Sequence, residues 1–502
     1  MPYLHHVDEP HTTTLALEML QTGDLNPHRF RYGSLTLYSL MAVDALHYLW
    51  ICRSPDIYTG ERVKLEEIRP ISSEGFRWET SHPSFNQWNR AWSSILGTLT
   101  VLLVYLIGRR SGAVVGLVAA GTLAGISIHV EHSGLVSPDV PVGFYTLLAV
   151  TLSTAYMTSG RTLTLVWAFV AAGFALATKY NAAPVLLVPY LALAFTRGRH
   201  AVRPHWLWWG GLLTALGTFL VCTPYSLLDL PTFISDVGRE VSHYAMVGHG
   251  PKTVERGVPH MLWAFGQFAS SLTWPGLVLA AAGMALGMTS KQRVVLFCFP
   301  ALYFLMQTRM IVAFHNNLLS IYPYLALGLG YSVQRILGWS AASWPRWKPI
   351  LITAMVVLFV RAHVLEIRLA NEIARAEETR TAAGQEIVRL AQERGWKTIG
   401  ISELLHIHPL DLAGIQVEIV QKDLNSLRKM SGSLDAIVCP TSFEMKDLSD
   451  EKRQERVDVL QGRIPAVDPI WRIEGNPCQL GTLSIDPGVQ IFVPPYNRGQ
   501  GG

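Results

Sequence analysis

Between Trp92 and His363 the chain is a series of apolar runs cut by short polar loops. A bilayer core takes about 20 mostly apolar residues per helix, and fewer where short helices pack inside a bundle. The runs that meet this are Trp92–Gly108, Ala113–Ile128, Val140–Met157, Leu163–Thr178, Ala183–Phe195 and Trp206–Cys222. Leu272–Met288, Val294–Gln307, Asn317–Leu337 and Ile350–His363 follow. The pattern predicts about ten spans. Leu35–Cys52 is also long enough, but Asp44 and His47 interrupt it, and ionisable groups in lipid are costly. It reads as an interfacial helix with one wet face.

Positive charge orients these runs. Arg109-Arg110, Arg161, Arg197/Arg199/Arg203, Lys291/Arg293 and Arg335/Arg346/Lys348 fall in alternate short loops, which places those loops in the cytoplasm. By parity the outer face receives the N-terminal stretch, Arg53–Asn89, His129–Asp139, Lys179–Asn181, Thr223–His260, Thr308–Asn316 and everything after about Val364. Nearly all polar material able to do chemistry is therefore expected outside the cytoplasm.

After Val364 the pattern changes. Glu366–Arg394 is a charged helical run with sparse apolar positions at Leu369, Ile373, Ile387 and Leu390. Strand-like Thr398–Ser402, Val417–Gln421 and Leu434–Cys439 alternate with helical material, which predicts a partly parallel sheet. Ile470–Pro494 reads as short antiparallel strands around turns at Gly475-Asn476-Pro477 and Asp486-Pro487-Gly488. The expected organisation is a first extracytoplasmic loop with interfacial helices over 1–91, a transmembrane bundle over 92–363 and an extracytoplasmic α/β domain over 364–502.

Composition agrees with a multi-pass protein of the plasma (inner) membrane. Half of the 502 residues are hydrophobic and only 16% are charged, against about 25% in soluble domains. A net charge of +4 does not point to nucleic acid. The five cysteines show no metal spacing, although Cys439 and Cys478 share the polar C-terminal region and a pairing there stays open. A transporter would carry ionisable groups at mid-membrane and repeated halves; the spans here are nearly free of charge and no repeat is visible.

Several polar groups are candidates for chemistry. Asp8 and Glu9 precede Pro10 at the start of a short helical pattern, and a basic, aromatic tail of His28, Arg29, Phe30, Arg31 and Tyr32 follows. Acids at a helix N-terminus serve as caps, and they also serve as general bases. Asp139 has the same two readings, as the cap of the span opened by Val140 and Pro141 or as a second acid on the same face. Lys179, with Tyr180 and Asn181, sits at the outer end of a span, where a lysine more often snorkels than binds a ligand. His315, Asn316 and Asn317 are three polar side chains in a row at the start of a span, and they need partners.

The stretch DEP followed by ALEMLQTGDLNPHRFRYGSL resembles the first outer loop of glycosyltransferase family 39, which has the GT-C fold. SPDVPVGF resembles that family's second acidic loop, and ATKYNA and NNLLSIYPYLALG resemble two later segments. The likeness covers most of Pro2–Leu337 and leaves the C-terminal region unmatched. It implies a polytopic α-helical membrane protein of GT-C type that moves a sugar from a polyprenyl-phosphate donor to a protein, lipid or glycan acceptor at the outer face of the lipid bilayer. Carried over by position, Asp8 is the base with Glu9 beside it, Asp139 is a second active-site acid, and Lys179 contacts the phosphate. An inverting displacement needs a carboxylate for the acceptor proton and cations for the leaving phosphate, and Arg29, Arg31, Tyr32 and Tyr180 stand near enough in sequence to contribute. The resemblance leaves a divalent cation open and implies no other cofactor. The sequence departs from the family at three points. It opens at the acidic loop where the family has a spanning helix, Gly33 replaces a proline, and HNN replaces an arginine that holds phosphate. His315 or Asn316 is expected in that arginine's place; a relative that binds the lipid-phosphate sugar without transferring it is the second reading.

Overall fold

The computed structural model describes residues 9–51, 64–68, 84–198, 206–286, 289–343, 379–402, 412, 414–420, 434–440, 471–473 and 489–492. Two compact units share the chain: one takes Met1–Thr14, Pro55–Gln87 and Leu369–Gly502, the other Leu15–Ser54 and Trp88–Arg368. These bounds differ from the expected breaks after 91 and 363. Which core a loop joins is decided by three-dimensional burial, and hydropathy along the chain does not record it.

In the larger unit the long apolar helices are α3 (Ser84–Arg109, whose first turn precedes it), α4 (Ala113–Ala124), α6 (Asp139–Ser159), α7 (Thr162–Thr178) and α9 (Trp206–Cys222). With them go α8 (Leu187–Arg197), α12 (Val258–Leu272), α13 (Trp274–Leu286), α14 (Ser290–Gln307) and α15 (Tyr322–Ser343). α6 packs on α7, α7 on α9, and α15 on both α4 and α13. Small residues allow the last of these: a Cβ on Gly283 would sit 1.8 Å from the Gly328 carbonyl oxygen, so the α13 and α15 backbones touch. Tyr156, Phe169, Phe299, Tyr303, Tyr322 and Tyr324 are the largest fully buried side chains of this core.

Among the described residues α3 and α6 alone are long and apolar enough to cross singly, and the count reaches 4 if each of two bent pairs is one span. The expected run Ala113–Ile128 breaks after Gly125 into α4 and α5 (Ser127–Ser133), bent by 65°. α12, which no expected run covers, meets α13 at a 103° bend at Thr273, whose φ of 63° lies in the left-handed region. α7 and α9 have 17 residues each. Ile350–His363 lies outside the described residues.

α2 (Ser34–Ile51) also differs from its expected wet-faced form. Asp44 and His47 are buried: Asn89 on α3 donates to Asp44 Oδ1 at 2.9 Å, and the His47 ring stacks on Trp88 at 5.0 Å. Burial pushes the Asp44 carboxyl up to about 8, against the smaller opposing pull of Asn89. The exposed positions are Ala42, Leu46, Leu49 and Trp50. The polar residues that seemed to need water instead face a neighbouring helix.

In the smaller unit a five-stranded sheet has the order β2-β1-β3-β5-β4, from β1 (Thr398–Ser402), β2 (Gln416–Val420), β3 (Ala436–Pro440), β4 (Trp471–Ile473) and β5 (Val489–Phe492). β1 pairs in parallel with β2 and β3, while β5 runs antiparallel to β3 and β4. The final charged helix of the described chain, Thr379–Arg394, lays Ala383, Ile387 and Leu390 on Ile399, Ile401, Val438 and Ile491. Asp435 accepts from the backbone N–H groups of Lys397 and Thr398 at 2.7 and 2.9 Å and so fixes the entry to β1. Cys478 lies outside the described residues.

Candidate functional site

The larger unit gathers four of its polar side chains where α6, α7 and α15 begin or end. Asp139 is the first residue of α6; Pro138 occupies the cap position and no side chain caps the helix. The Asp139 carboxylate is therefore not spent on its own backbone. Its Oδ1 accepts from Lys179 Nζ at 2.7 Å and its Oδ2 from Asn316 Nδ2 at 2.9 Å. Lys179 Nζ also donates to Asn317 Oδ1 at 3.0 Å.

Local backbone places each of these groups. Lys179 closes α7 in an extended conformation, φ −151° and ψ 121°, and a 3-10 turn, Tyr180–Leu186, follows at once. This break turns the lysine side chain inward, so it is 7% exposed and does not snorkel. Asn316 and Asn317 belong to a second 3-10 turn, His315–Ile321, immediately before α15. Tyr303 on α14 steadies that turn, its hydroxyl donating to the Asn317 carbonyl at 3.0 Å, while Asn181 Nδ2 donates to the same hydroxyl at 3.2 Å.

Burial alone would pull the Lys179 ammonium down, because a charge leaves water. The Asp139 carboxylate beside it outweighs that effect, and the lysine is held above its ordinary range, fully protonated. Three tyrosines also lie within electrostatic reach of this ammonium: Tyr244, Tyr303 and Tyr32, the last with its ring centroid 5.8 Å away. His132 on α5 lies within reach of Asp139. The node holds one buried cation and one buried anion, each with a second amide partner. That is the condition under which burying an ion pair is tolerable.

Tyr32 is brought to this node by the loop before α2. Asp24 Oδ1 accepts from Asn26 N at 2.8 Å, Asn26 Oδ1 from His28 N at 3.1 Å, and Asn26 Nδ2 donates to Asp229 Oδ2 at 3.0 Å. Phe30 N–H donates to Asp236 Oδ2 at 2.7 Å, and the Phe30 ring meets Phe233 edge-on at 5.7 Å. The Tyr32 carbonyl then accepts from the Tyr180 hydroxyl at 3.0 Å. A narrow cleft runs beside Ser137 and Thr178, its walls shared between hydroxyl side chains such as Thr36, Ser39 and Ser93 and apolar ones such as Leu40, Trp92 and Leu96.

Of the sequence candidates, Asp139, Lys179, Asn316, Tyr32 and Tyr180 thus share one neighbourhood. Arg29 and Arg31 are exposed; Arg29 lies within electrostatic reach of Glu18, and Arg31 of His243. His315 points elsewhere, its Nε2 bonded to the Tyr322 hydroxyl at 2.7 Å. Burial, helped by nearby Lys252, pushes its imidazole down to about 4, so it is neutral near pH 7. His315 is thus neutral, and Asn316 is engaged by Asp139. Glu9 is buried in the first turn of α1 (Glu9–Thr22), and the Thr12 and Thr13 hydroxyls donate to its backbone carbonyl at 3.0 and 2.8 Å. Asp8 lies outside the described residues. Reading the sequence missed Tyr303 and His132, because a Tyr inside an apolar run looks like core and a His before a turn looks like loop. No group of three or more His, Cys, Asp or Glu that could hold a metal ion occurs among the described residues.

Residues 84–225 match the family described as Dolichyl-phosphate-mannose-protein mannosyltransferase, a segment that carries both Asp139 and Lys179. The fold is that of ArnT from Cupriavidus metallidurans, solved with undecaprenyl phosphate bound: identity is 13%, 98% of this chain and 94% of that one are covered, and the TM-score is 0.50. The apo form of the same protein gives 13% identity, coverage of 98% and 94%, and a TM-score of 0.48. The Archaeoglobus fulgidus oligosaccharyltransferase, in complex with Zn and sulfate, gives 12% identity, 87% and 64% coverage and a TM-score of 0.44. No curated protein matches the chain. By fold the chain is similar to ArnT, and one segment of it, residues 84–225, matches the mannosyltransferase family model.

Proposed function

We propose that the protein is a membrane glycosyltransferase that takes a sugar from a polyprenyl-phosphate donor and passes it to an acceptor hydroxyl at the extracytoplasmic face. The observation that carries this reading is the buried Lys179, held by Asp139 and Asn317 at the end of a helix and faced by Tyr32. A cation fixed in a water-poor site stabilises charge that develops on a leaving phosphate, because little reorganisation is needed when the bond breaks. A phosphate arriving at the node competes with Asp139 for the ammonium, and the carboxylate, still held by Asn316, keeps Lys179 aimed at it. Tyr32 and Tyr180 line the approach. Arg29 and Arg31, exposed on the loop that ends in Tyr32, meet the donor's charged head from outside.

The displacement is single and inverting. The acceptor oxygen bonds to the anomeric carbon as the bond from that carbon to the phosphate oxygen breaks. The polyprenyl phosphate leaves with the electron pair, and a carboxylate takes the acceptor proton. Asp8 keeps the role of base that the family resemblance gives it, with Glu9 beside it. Transfer from a labelled polyprenyl-phosphate sugar, measured with purified protein in lipid, tests this reading. Lys179→Ala and Asp139→Asn are expected to lower the rate by at least 100-fold, a loss on the order of 3 kcal/mol in the barrier. Unchanged rates in both variants overturn it.

One observation favours binding without transfer as the second reading: both oxygens of Asp139 are occupied by Lys179 and Asn316. Saturable donor binding by wild-type protein with no turnover for any hydroxyl acceptor class supports that reading over the first.

A further inference from the structure

α2 and α3 meet at a pair of polar side chains that the candidate site does not use. Asn89 Nδ2 donates to Asp44 Oδ1 at 2.9 Å, and both residues are 1% exposed. The remaining oxygen of each group, Asp44 Oδ2 and Asn89 Oδ1, is buried and has no hydrogen-bond partner among the described residues. Both atoms are acceptors, so an ionised Asp44 leaves two orphaned oxygens and a buried charge resting on one amide bond. Buried polar groups are rarely left so, because water is lost and nothing replaces it. One proton on Oδ2 removes all three faults. It turns that oxygen into a donor, and a carboxylic acid facing an amide closes a planar ring of two hydrogen bonds. We propose that Asp44 is a neutral carboxylic acid in the folded protein, its Oδ2 proton bonded to Asn89 Oδ1, so that one proton locks α2 to α3.

The elements around α2 give the carboxylate no counterion. α7 has no titratable side chain, and Cys222 of α9 lies within reach of Tyr38 and Tyr145. α1, whose Ala16 packs on Leu40, brings Glu18, which lies toward Arg29. α5, whose following loop sets Val136 on Leu40, carries Glu131, His129 on the Gly97 carbonyl and His132 within reach of Asp139. α3 carries Arg90, Tyr105 and Arg109. On α2 itself are Tyr48, Tyr38 on the Leu25 carbonyl and His47 stacked on Trp88. Burial and the Asn89 bond are the forces that act on Asp44. Asp44 stands about one turn beyond Leu40 on α2, and Asn89 about one turn before Ser93 on α3. Leu40 and Ser93 line the cleft, so the pair closes the cleft's end. When Asp44 ionises, its proton goes to water, carboxylate oxygen faces amide oxygen, and the two helices are pushed apart there. The carboxyl, pushed up to about 8, holds its proton more tightly folded than unfolded. Its contribution to stability is thus complete below about 4 and is lost as pH rises through about 8. The lock depends on no transfer reaction.

Infrared difference spectra of the purified full-length protein, wild type minus Asp44→Asn, test this, because the C=O stretch of a protonated carboxyl stands apart from the bands of a carboxylate. Asparagine at 44 can make both bonds of the ring with Asn89 and carries no titrating proton. A protonated-carboxyl band is expected in the wild type at about pH 6, absent from Asp44→Asn and fading with a midpoint near the carboxyl's value of about 8. The thermal midpoint of the wild type is expected to fall more than that of Asp44→Asn between about pH 6 and pH 9. Asn89→Leu is the second variant. It should keep the band and move it to higher frequency, since the Asp44 carbonyl loses its donor. Carboxylate bands in place of the carboxyl band at about pH 6 overturn the proposal. So does a wild-type band that disappears on adding sodium at fixed pH, which would put a cation where the proton is placed. A band that Asn89→Leu leaves unmoved overturns the pairing with Asn89.

Discussion

Lys179 and Asp139 show how little a residue's type says about its use. A lysine at the end of an apolar helix and an aspartate at the start of one both have ordinary surface roles, yet here they pair in the interior at 2.7 Å. Removing one partner leaves the other buried without compensation, which costs about 3–5 kcal/mol, whereas removing both can be nearly neutral. Lys179→Met is expected to lower the thermal midpoint of the purified protein, and Lys179→Met with Asp139→Asn to regain most of that loss. A double variant as unstable as the sum of the singles contradicts the pairing. His315 gives a pH test. Its folded-state imidazole is depressed to about 4 by burial and Lys252, below the usual value near 6.5, so the unfolded chain binds the proton more readily. Its contribution to stability is complete above about pH 6.5 and is lost as pH falls through about 4. His315→Gln keeps a polar group near Tyr322 without the titration, and its stability measured against pH should fall less than the wild type's between pH 6.5 and 4.

Element ends do the positioning. α7 stops at an extended Lys179, α15 starts from a 3-10 turn, and α2 is entered through Gly33, whose N–H donates to the Thr178 carbonyl at 3.2 Å. A Cβ at Gly33 would stand 1.9 Å from the Ala177 carbonyl oxygen, a backbone atom that cannot swing away. The glycine is therefore required by the close approach of two chain segments next to the site, and a proline there would also forfeit the bond to Thr178. Gly33→Ala should destabilise by roughly 1–3 kcal/mol, seen as a lower melting midpoint. It should also raise KM for the donor, since Tyr32 is the preceding residue. A melting midpoint and KM equal to wild type contradict this packing role.

The whole molecule combines a helical unit whose core is Leu- and Ala-rich with a unit built on a mixed sheet. The candidate node belongs entirely to the helical unit, so its substitutions and those of the N-terminal acids are expected to separate in their effects. Asp8→Asn should abolish transfer from the polyprenyl-phosphate sugar while leaving the thermal midpoint near wild type. Asp139→Asn should lower both, because it also unpairs Lys179. Transfer that survives Asp8→Asn removes Asp8 from the role of base.

Much of this was legible in the residues. The apolar runs fall on α3, α4, α6, α7, α8, α9, α13, α14 and α15 but not on α12, the strand patterns fall within two residues of β1, β2 and β3, and parallel followed by antiparallel pairing follows from the order of elements. The acidic and ATKYNA segments point to Asp139 and Lys179 because polar residues at the ends of apolar helices need partners. Partnership is what the sequence withholds. Asn316 and Asn317 find Asp139 and Lys179 across 177 and 138 residues, and Asp44 faces Asn89 where a wet surface is expected. The bend at Gly125 is likewise hidden in a run that reads as continuous. Hydrophobic periodicity reports how much of a segment avoids water, which is a local property. Which polar groups satisfy one another inside, and so which charges can be kept dry, depends on distant backbones meeting, and only the folded chain decides that.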